Sequence, residues 1–192
     1  MGWAADDLPN VLDVALDQAR AGNRRGFEVL YRAYGQSVIG YLRARHVTDP
    51  DDLANEVFLR AFRAIHTLRG DADRFRSWLF GIAHNAAVDD LRCRGRRPRE
   101  VILDDDGFVG GNVETEAISR LDAASVEALL ECLSSDQRDV ILLRVLGGLS
   151  ISQTAAVLDK SYEAVKALQR RAIASLRRMI DTDTQTVVPS FG

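Results

Sequence analysis

Tyr162, Glu163, Lys166 and Arg170 recur at the spacing that puts side chains on one outward helix face, just after a short break at Asp159-Lys160. A cation pair one helical turn apart, next to a tyrosine and a carboxylate near the helix start, is suited to phosphate oxygens and base edges. The surrounding stretch Leu149–Leu176, LSISQTAAVLDKSYEAVKALQRRAIASL, supplies what would hold that face in place. Ser150 followed by Gln153 is a capping-box pattern that starts one helix, with Ile151, Ala155 and Leu158 on a single side of it. Ser161 is a natural N-cap for the next, in which Val165, Leu168, Ala172 and Leu176 form the inward stripe. This is a helix-turn-helix pattern, and it places the first turns of its second helix where a recognition helix meets a DNA major groove.

Composition restricts the partners. The 192 residues carry 25 Lys and Arg against 28 Asp and Glu, a net charge of −3. The overall field therefore gives little non-specific attraction to nucleic acid, and any contact must come from local clusters. Lys160 and Lys166 are the only lysines, a bias that suits phosphate forks and equally fits a GC-rich genome. Cys93 and Cys132 stand far apart without CxxC spacing, which disfavours a zinc site or a disulfide framework. His46, His66 and His84 are not grouped with carboxylates at metal spacing, and no Gly-rich phosphate loop, GxSxG elbow or HExxH occurs. No catalytic residue, metal or cofactor is expected. No long apolar run and no leader pattern is present, so the reading is a cytoplasmic protein without direct membrane insertion.

The elements predicted from periodicity are helical throughout: an all-α chain of two small domains. A first unit spans 11–96 and contains three prominent helices. One runs from Phe27 to His46 with Phe27, Leu30, Tyr31, Tyr34, Val38 and Leu42 inward. After Thr48-Asp49-Pro50 a second begins near Asp51, its core face formed by Leu53, Val57, Phe58, Ala61, Phe62, Ile65 and Leu68. A third runs from Phe75 to about Arg94, with Phe75, Trp78, Leu79, Ile82 and Ala86 inward and Asn85, Asp89, Arg92 and Arg96 along one edge. Residues 97–117 read as a flexible acidic linker, with Asp104–Asp106 and glycines at 107, 110 and 111. The helix-turn-helix unit occupies 118–180, and 181–192 reads as a flexible tail.

DPDDLANEVFLRAFRAIHTLRG (49–70) with FRSWLFGIAHNAAVDDLRCRGRRP (75–98) resembles the second conserved region of bacterial RNA polymerase sigma factors of the extracytoplasmic-function group. The stretch from Leu130 to Ile180, containing the DQR helix and the helix-turn-helix, resembles the fourth region of the same group. The likeness covers roughly 22–96 and 121–179. It implies a non-catalytic subunit that binds core RNA polymerase and promoter DNA, reads the −35 and −10 elements and helps melt the duplex. It also implies an anti-sigma factor as a further partner.

Residue by residue, the resemblance assigns Asp52, Glu56, Leu59, Arg60 and Arg63 to the polymerase-binding helix; a solvated charged face would give the same pattern apart from Leu59. Asn85 matches the position beside the −10 specificity loop, and the segment Gly70–Arg74 approaches the melted strand. Arg92 and Arg96, in a cluster with Arg94, Arg97 and Arg99, suit phosphates. Phe75, Trp78 and Phe80 could stack on bases, although the spacing of Phe75 and Trp78 favours the core. Ser161, Tyr162, Glu163, Lys166, Arg170 and Arg171 are the DNA candidates of the second unit. The chain departs from the family where EAVKAL (163–168) replaces the common GTVKSR, Ser134 replaces a proline, and Asp159 a turn glycine. Glu163 and Leu168 bear on promoter sequence more than on fold, Ser134 with Gln137 supplies a capping box in place of the proline, and aspartate tolerates the left-handed turn at some cost. The alternative is a stand-alone helix-turn-helix regulator, which would need a sensing or dimerising unit in place of the first block.

Overall fold

The computed structural model describes the backbone of residues 8–96 and 126–186, and side chains of 11–94 and 126–179. Within these residues the regular elements are α1 (Leu8–Arg20), α2 (Arg24–Ala44), α3 (Pro50–Ala64) and a 3-10 turn at Ile65–Thr67. They continue with α4 (Ala72–Arg96), α5 (Ser135–Val145), α6 (Ile151–Leu158) and α7 (Tyr162–Thr186). A further helical stretch covers 126–131. The predicted linker at 97–117, with Arg97 and Arg99, lies outside the described residues.

Caps explain most of the boundaries. Asn23 accepts from the Arg25 amide and opens α2 three residues before the expected Phe27. Asp49 accepts from the Asp52 amide, and Pro50 occupies the first turn of α3, where its missing N–H costs nothing. The Asp71 carboxylate accepts from the Arg74 amide, so α4 starts at Ala72 rather than Phe75. Ser134–Gln137 and Ser150–Gln153 both form complete capping boxes. Asp159 closes α6 in the left-handed conformation at φ 51°, ψ 45°, as expected of an acid standing in for glycine. Helix α7 continues to Thr186 instead of ending at 180. Nothing between Asp181 and Thr186 breaks a helix, since the next proline is Pro189.

Helix α1, not foreseen as a separate element, packs along α2 through Ala15, Leu16 and Ala19. The two approach so closely that a Cβ at Gly26 would sit 2.4 Å from the Ala15 carbonyl oxygen, so only glycine fits there. The Asp13 carboxylate accepts from the Ala72 amide at 2.7 Å and ties α1 to the start of α4. Leu30, Val38, Tyr41, Leu42, Val57, Phe58, Phe75, Leu79 and Phe80 fill the centre between α2, α3 and α4. Ring pairs Tyr34–Phe75 and Tyr41–Phe80, at 5.8 and 5.9 Å, stitch α2 to α4.

Two residues expected in the core lie elsewhere. Tyr31 is 40% exposed, its ring resting on Phe58 while its hydroxyl donates to Asn55 Oδ1 at 3.3 Å. Leu176 is only half-buried and joins neither core cluster. Leu142, Leu143 and Leu149 of the second unit belong to the same continuous core as α1–α4, whereas Val140, Ala155, Val165 and Leu168 form a small core of their own.

Candidate nucleic-acid interface

The face of α7 comes out as its spacing requires. Ser161 Oγ accepts from the Ala164 amide at 3.2 Å, so its hydroxyl is engaged in capping. Val165 and Ala172 are fully buried and Leu168 nearly so, which turns Tyr162, Glu163, Lys166 and Arg170 outward. Tyr162 is 47% exposed. Glu163, Lys166, Gln169, Arg170 and Arg177 line a shallow open groove of about 520 Å³ floored by Ile151 and Ile173. The groove therefore gathers three cations and one carboxylate. Arg171 lies on the flank, its Nε donating to the Ala167 carbonyl of its own helix. Arg177 was missed in the sequence reading, although it follows Arg170 by seven residues and periodicity alone could have found it.

The turn that presents α7 is braced electrostatically. Lys160 pairs with Asp136 at the start of α5 at 3.0 Å, and Arg144 donates to the Leu149 carbonyl. Together with the capping boxes these contacts fix α6 relative to α5 without a large core.

On α4, Asn85 is exposed, as its edge position implies. It shares a cleft of about 290 Å³ with Arg74, Ser77, Trp78, Gly81 and Ile82 from α4 and with Gln153, Ala156 and Val157 from α6. Trp78 is half-buried at this cleft and touches the Phe75 ring, so it belongs partly to the core and partly to the surface. Phe80 is completely buried, as is Phe75; neither presents a face for stacking. Arg92 is exposed, with Asp89 3.6 Å away. Arg94 pairs with Asp90 at 2.9 Å and donates to the His46 carbonyl. The side chain of Arg96 lies outside those described.

On α3, Asp52, Glu56, Leu59, Arg60 and Arg63 all face solvent. Arg60 forms an i,i+4 pair with Glu56, and Leu59 is 55% exposed among these charges. A single exposed apolar side chain among charges is also what an ordinary solvated helix face carries.

Sequence reasoning missed a buried polar set where the second unit meets the first. Arg45 at the end of α2 pairs with Asp139 of α5, their side chains 7% and 10% exposed. Nearby, Tyr41 Oη lies 2.9 Å from His84 Nδ1. Burial lowers the His84 pKa to about 4, aided by the Arg45 charge, while burial raises that of Tyr41. Both groups are therefore neutral at pH 7 and share this one hydrogen bond. Burial also pushes the Asp139 carboxyl up to about 6 against the pull of Arg45, which leaves it ionised and paired at neutral pH. The available signal was Asp139 itself, three and four residues before Leu142 and Leu143 on an inward stripe.

No helix of the described residues is long and apolar enough to cross a membrane. The sigma-70 region 2 family model matches residues 30–97, and the sigma-70 region 4 model matches residues 123–176. The ECF RNA polymerase sigma factor BldN of Streptomyces coelicolor is 33% identical over 188 residues, covering 95% of this chain and 70% of that protein. RNA polymerase sigma factor CnrH of Cupriavidus metallidurans is 34% identical over 182 residues, 88% of this chain and 93% of the relative. The structure of CnrH in complex with the cytosolic domain of CnrY is similar at a TM-score of 0.66 and 32% identity, covering 90% of this chain and 99% of that one. The first matched region takes in most of α2 with α3 and α4, and the second takes in α5, α6 and the first part of α7, in the same order along one chain. The protein belongs to the extracytoplasmic-function group of sigma-70 factors, the RNA polymerase subunits that direct promoter-specific transcription initiation.

Proposed function

We propose that this sigma factor is a cytoplasmic, non-catalytic specificity subunit whose two units divide the work between polymerase docking, −10 reading and −35 reading. The first unit, 11–96, engages the polymerase through Asp52, Glu56, Leu59, Arg60 and Arg63, and the −10 element through Asn85, Arg92 and Arg96. The second, from 118 through α7, engages the −35 element with Ser161, Tyr162, Glu163, Lys166, Arg170 and Arg171. The segment 97–117 links them. The observation that carries this division is the exposed groove on α7, where Lys166 and Arg170 stand one turn apart on a face that the buried Val165–Leu168–Ala172 stripe turns away from the core.

Ser161 acts as the cap that positions the helix start, and Arg171 contributes a flanking phosphate contact. Glu163 beside the cations is suited to accept from a cytosine amine. A protein partner that controls access is supported by the CnrH relative, which is solved with the cytosolic domain of CnrY. A stand-alone regulator is disfavoured because the first block carries a patterned α3 surface with an exposed Leu59 instead of a sensing unit.

The test is run-off transcription with core RNA polymerase over genomic fragments of the source bacterium. Promoter-dependent transcripts absent from core alone are expected. Their absence over the whole fragment set would overturn the reading.

A further inference from the structure

The segment from Leu68 to Ala72 turns the chain from α3 into α4, the helix that carries Asn85, and its shape is set from outside. Its own backbone bonds lie at its two ends. The Leu68 amide donates to the Ile65 carbonyl at 3.2 Å, and Asp71 accepts from the Arg74 amide with its carboxylate and from the Phe75 amide with its carbonyl. Among the described residues, no hydrogen bond within the segment engages Gly70. That residue sits at φ +115°, a conformation open to glycine and strained for others. Such a segment samples many shapes unless its neighbours restrain it.

Helix α1 supplies the restraint. Asp13, Asp17 and Arg20 recur at spacings of four and three along one flank, beside the buried Leu16 and Ala19. The Arg20 guanidinium donates to the Gly70 carbonyl and pairs with Asp17 at 2.9 Å. The Asp13 carboxylate accepts from the Ala72 amide at 2.7 Å, and Tyr34 Oη of α2 lies 3.5 Å from the Ala72 carbonyl oxygen. Both bonds from α1 have a charged partner, which is the stronger class of hydrogen bond.

The shape so fixed reaches Arg74. A Cβ on Gly70 would meet Arg74 Cβ at 3.0 Å and Cγ at 3.1 Å, so the Arg74 stem lies against the bare glycine. Arg74 also lines the cleft that holds Trp78 and Asn85. It is exposed and, like the exposed Arg69 on the other side of Gly70, forms no ion pair among the described residues. An unpaired guanidinium next to a base-reading amide is suited to the phosphates of a single strand lying along that cleft. A segment without restraint would lose conformational entropy when the strand binds, whereas one held beforehand has lost it already.

We infer that α1 is a positioning element for −10 recognition: Arg20 and Asp13 hold 68–72 in the shape that sets Arg74 beside Asn85, where Arg74 contacts a phosphate of the melted strand. The inference rests on the assignment of Asn85 and of the Gly70–Arg74 segment to the −10 element made above.

The test measures the affinity of the holoenzyme, the full chain with core polymerase, for a fork template from a promoter found by run-off, its −10 segment single-stranded. Arg20→Met keeps the stem and removes the donors, and should lower that affinity about fivefold. Arg20→Lys, which can again donate to the Gly70 carbonyl, should restore most of it, and Asp13→Ala should act in the same direction as Arg20→Met. Arg74→Ala should lower the affinity about tenfold, and Arg20→Met with Arg74→Ala should lose no more than Arg74→Ala alone, because Arg20 acts through Arg74. Affinity for core polymerase should stay unchanged throughout. Losses that multiply in the double variant, native affinity in Arg20→Met, or equal weakening by Met and Lys at position 20 would each overturn the brace. So would loss of core binding or of the unfolding transition in Arg20→Met, since α1 would then support the unit as a whole. If Asn85→Ala and Arg74→Ala both left the fork affinity unchanged, the −10 assignment would fall and the brace with it. A loss in those two with none in Arg20→Met would remove the brace alone.

Discussion

The two units reach an ordered structure by different means. In α1–α4 the core is broad and aromatic, with Phe75, Phe80, Tyr41 and four leucines (Leu16, Leu30, Leu42, Leu79) fully buried. Burial on that scale, at about 25 cal/mol per Å² of apolar surface, holds the unit together regardless of the details of its turns. Helices α5–α7 enclose only Val140, Ala155, Val165 and Leu168 as a separate core. Their order depends on two capping boxes, the left-handed Asp159, the Lys160–Asp136 pair, and leucines placed against the other unit. The second unit thus depends for part of its burial on its neighbour, whereas the first is closed by a deep core of its own.

This contrast can be broken or sharpened by substitution. The largest effect should come from Phe75→Ala, which removes a fully buried ring packed on Tyr34 and Trp78. A loss of ~3–5 kcal/mol is expected in denaturant unfolding. A loss below 1 kcal/mol would mean that the platform is not held by its aromatic core.

Asp139→Asn comes next. It removes one charge of the buried Arg45–Asp139 pair, and because the amide can still accept from Arg45, the cost should lie towards the low end of ~3–5 kcal/mol. Its pH dependence is more telling than its size. His84, lowered from 6.5 to about 4, stays neutral in the fold while the unfolded chain takes a proton, so stability is lost as pH falls from 6.5 to 4. Asp139, raised from 3.8 to about 6, does the opposite: the folded state binds its proton first, and stability is regained as pH falls from 6 to 3.8. The two trends oppose each other in the native chain. Asp139→Asn leaves the His84 trend alone, so its melting temperature should fall more steeply between pH 6.5 and 4. Parallel pH profiles for the two proteins would contradict the burial of this carboxylate.

Lys166→Ala and Arg170→Ala should leave unfolding nearly unchanged, since both are exposed, and weaken promoter binding by the holoenzyme by ~1–3 kcal/mol each where a base is read. A side chain that contacts phosphate instead would weaken all sequences alike and flatten the salt dependence. Ser150→Ala opens the capping box of α6 and should cost ~1 kcal/mol, detected as a lower unfolding midpoint. The smallest change is Asp159→Gly. It relieves a non-glycine residue at φ 51° but frees the unfolded chain, so a net gain of only a few tenths of a kcal/mol is expected. A clear destabilisation would show that the Asp159 side chain does more than tolerate the turn.

Much of this was legible in the chain. The spacing of Val165, Leu168 and Ala172 established which side of α7 faces out, and the alternation of apolar and charged residues in α3 put Asp52, Glu56, Leu59, Arg60 and Arg63 on the surface. Both capping boxes could be read from a serine and a glutamine three residues apart. These features are local: a helix repeats every 3.6 residues and its caps lie within one turn, so neighbouring residues carry the information. What misled the reading was equally physical. Tyr31 has core spacing but keeps its hydroxyl at the surface with Asn55. The pairing of Arg45 with Asp139 across 94 positions, the seating of α6 beside Asn85, and the burial of Phe80 under Gly147 were decided only by tertiary structure. Such contacts depend on how two amphipathic surfaces meet, and hydrophobic burial, being non-directional, leaves no periodic trace of its partner in either sequence.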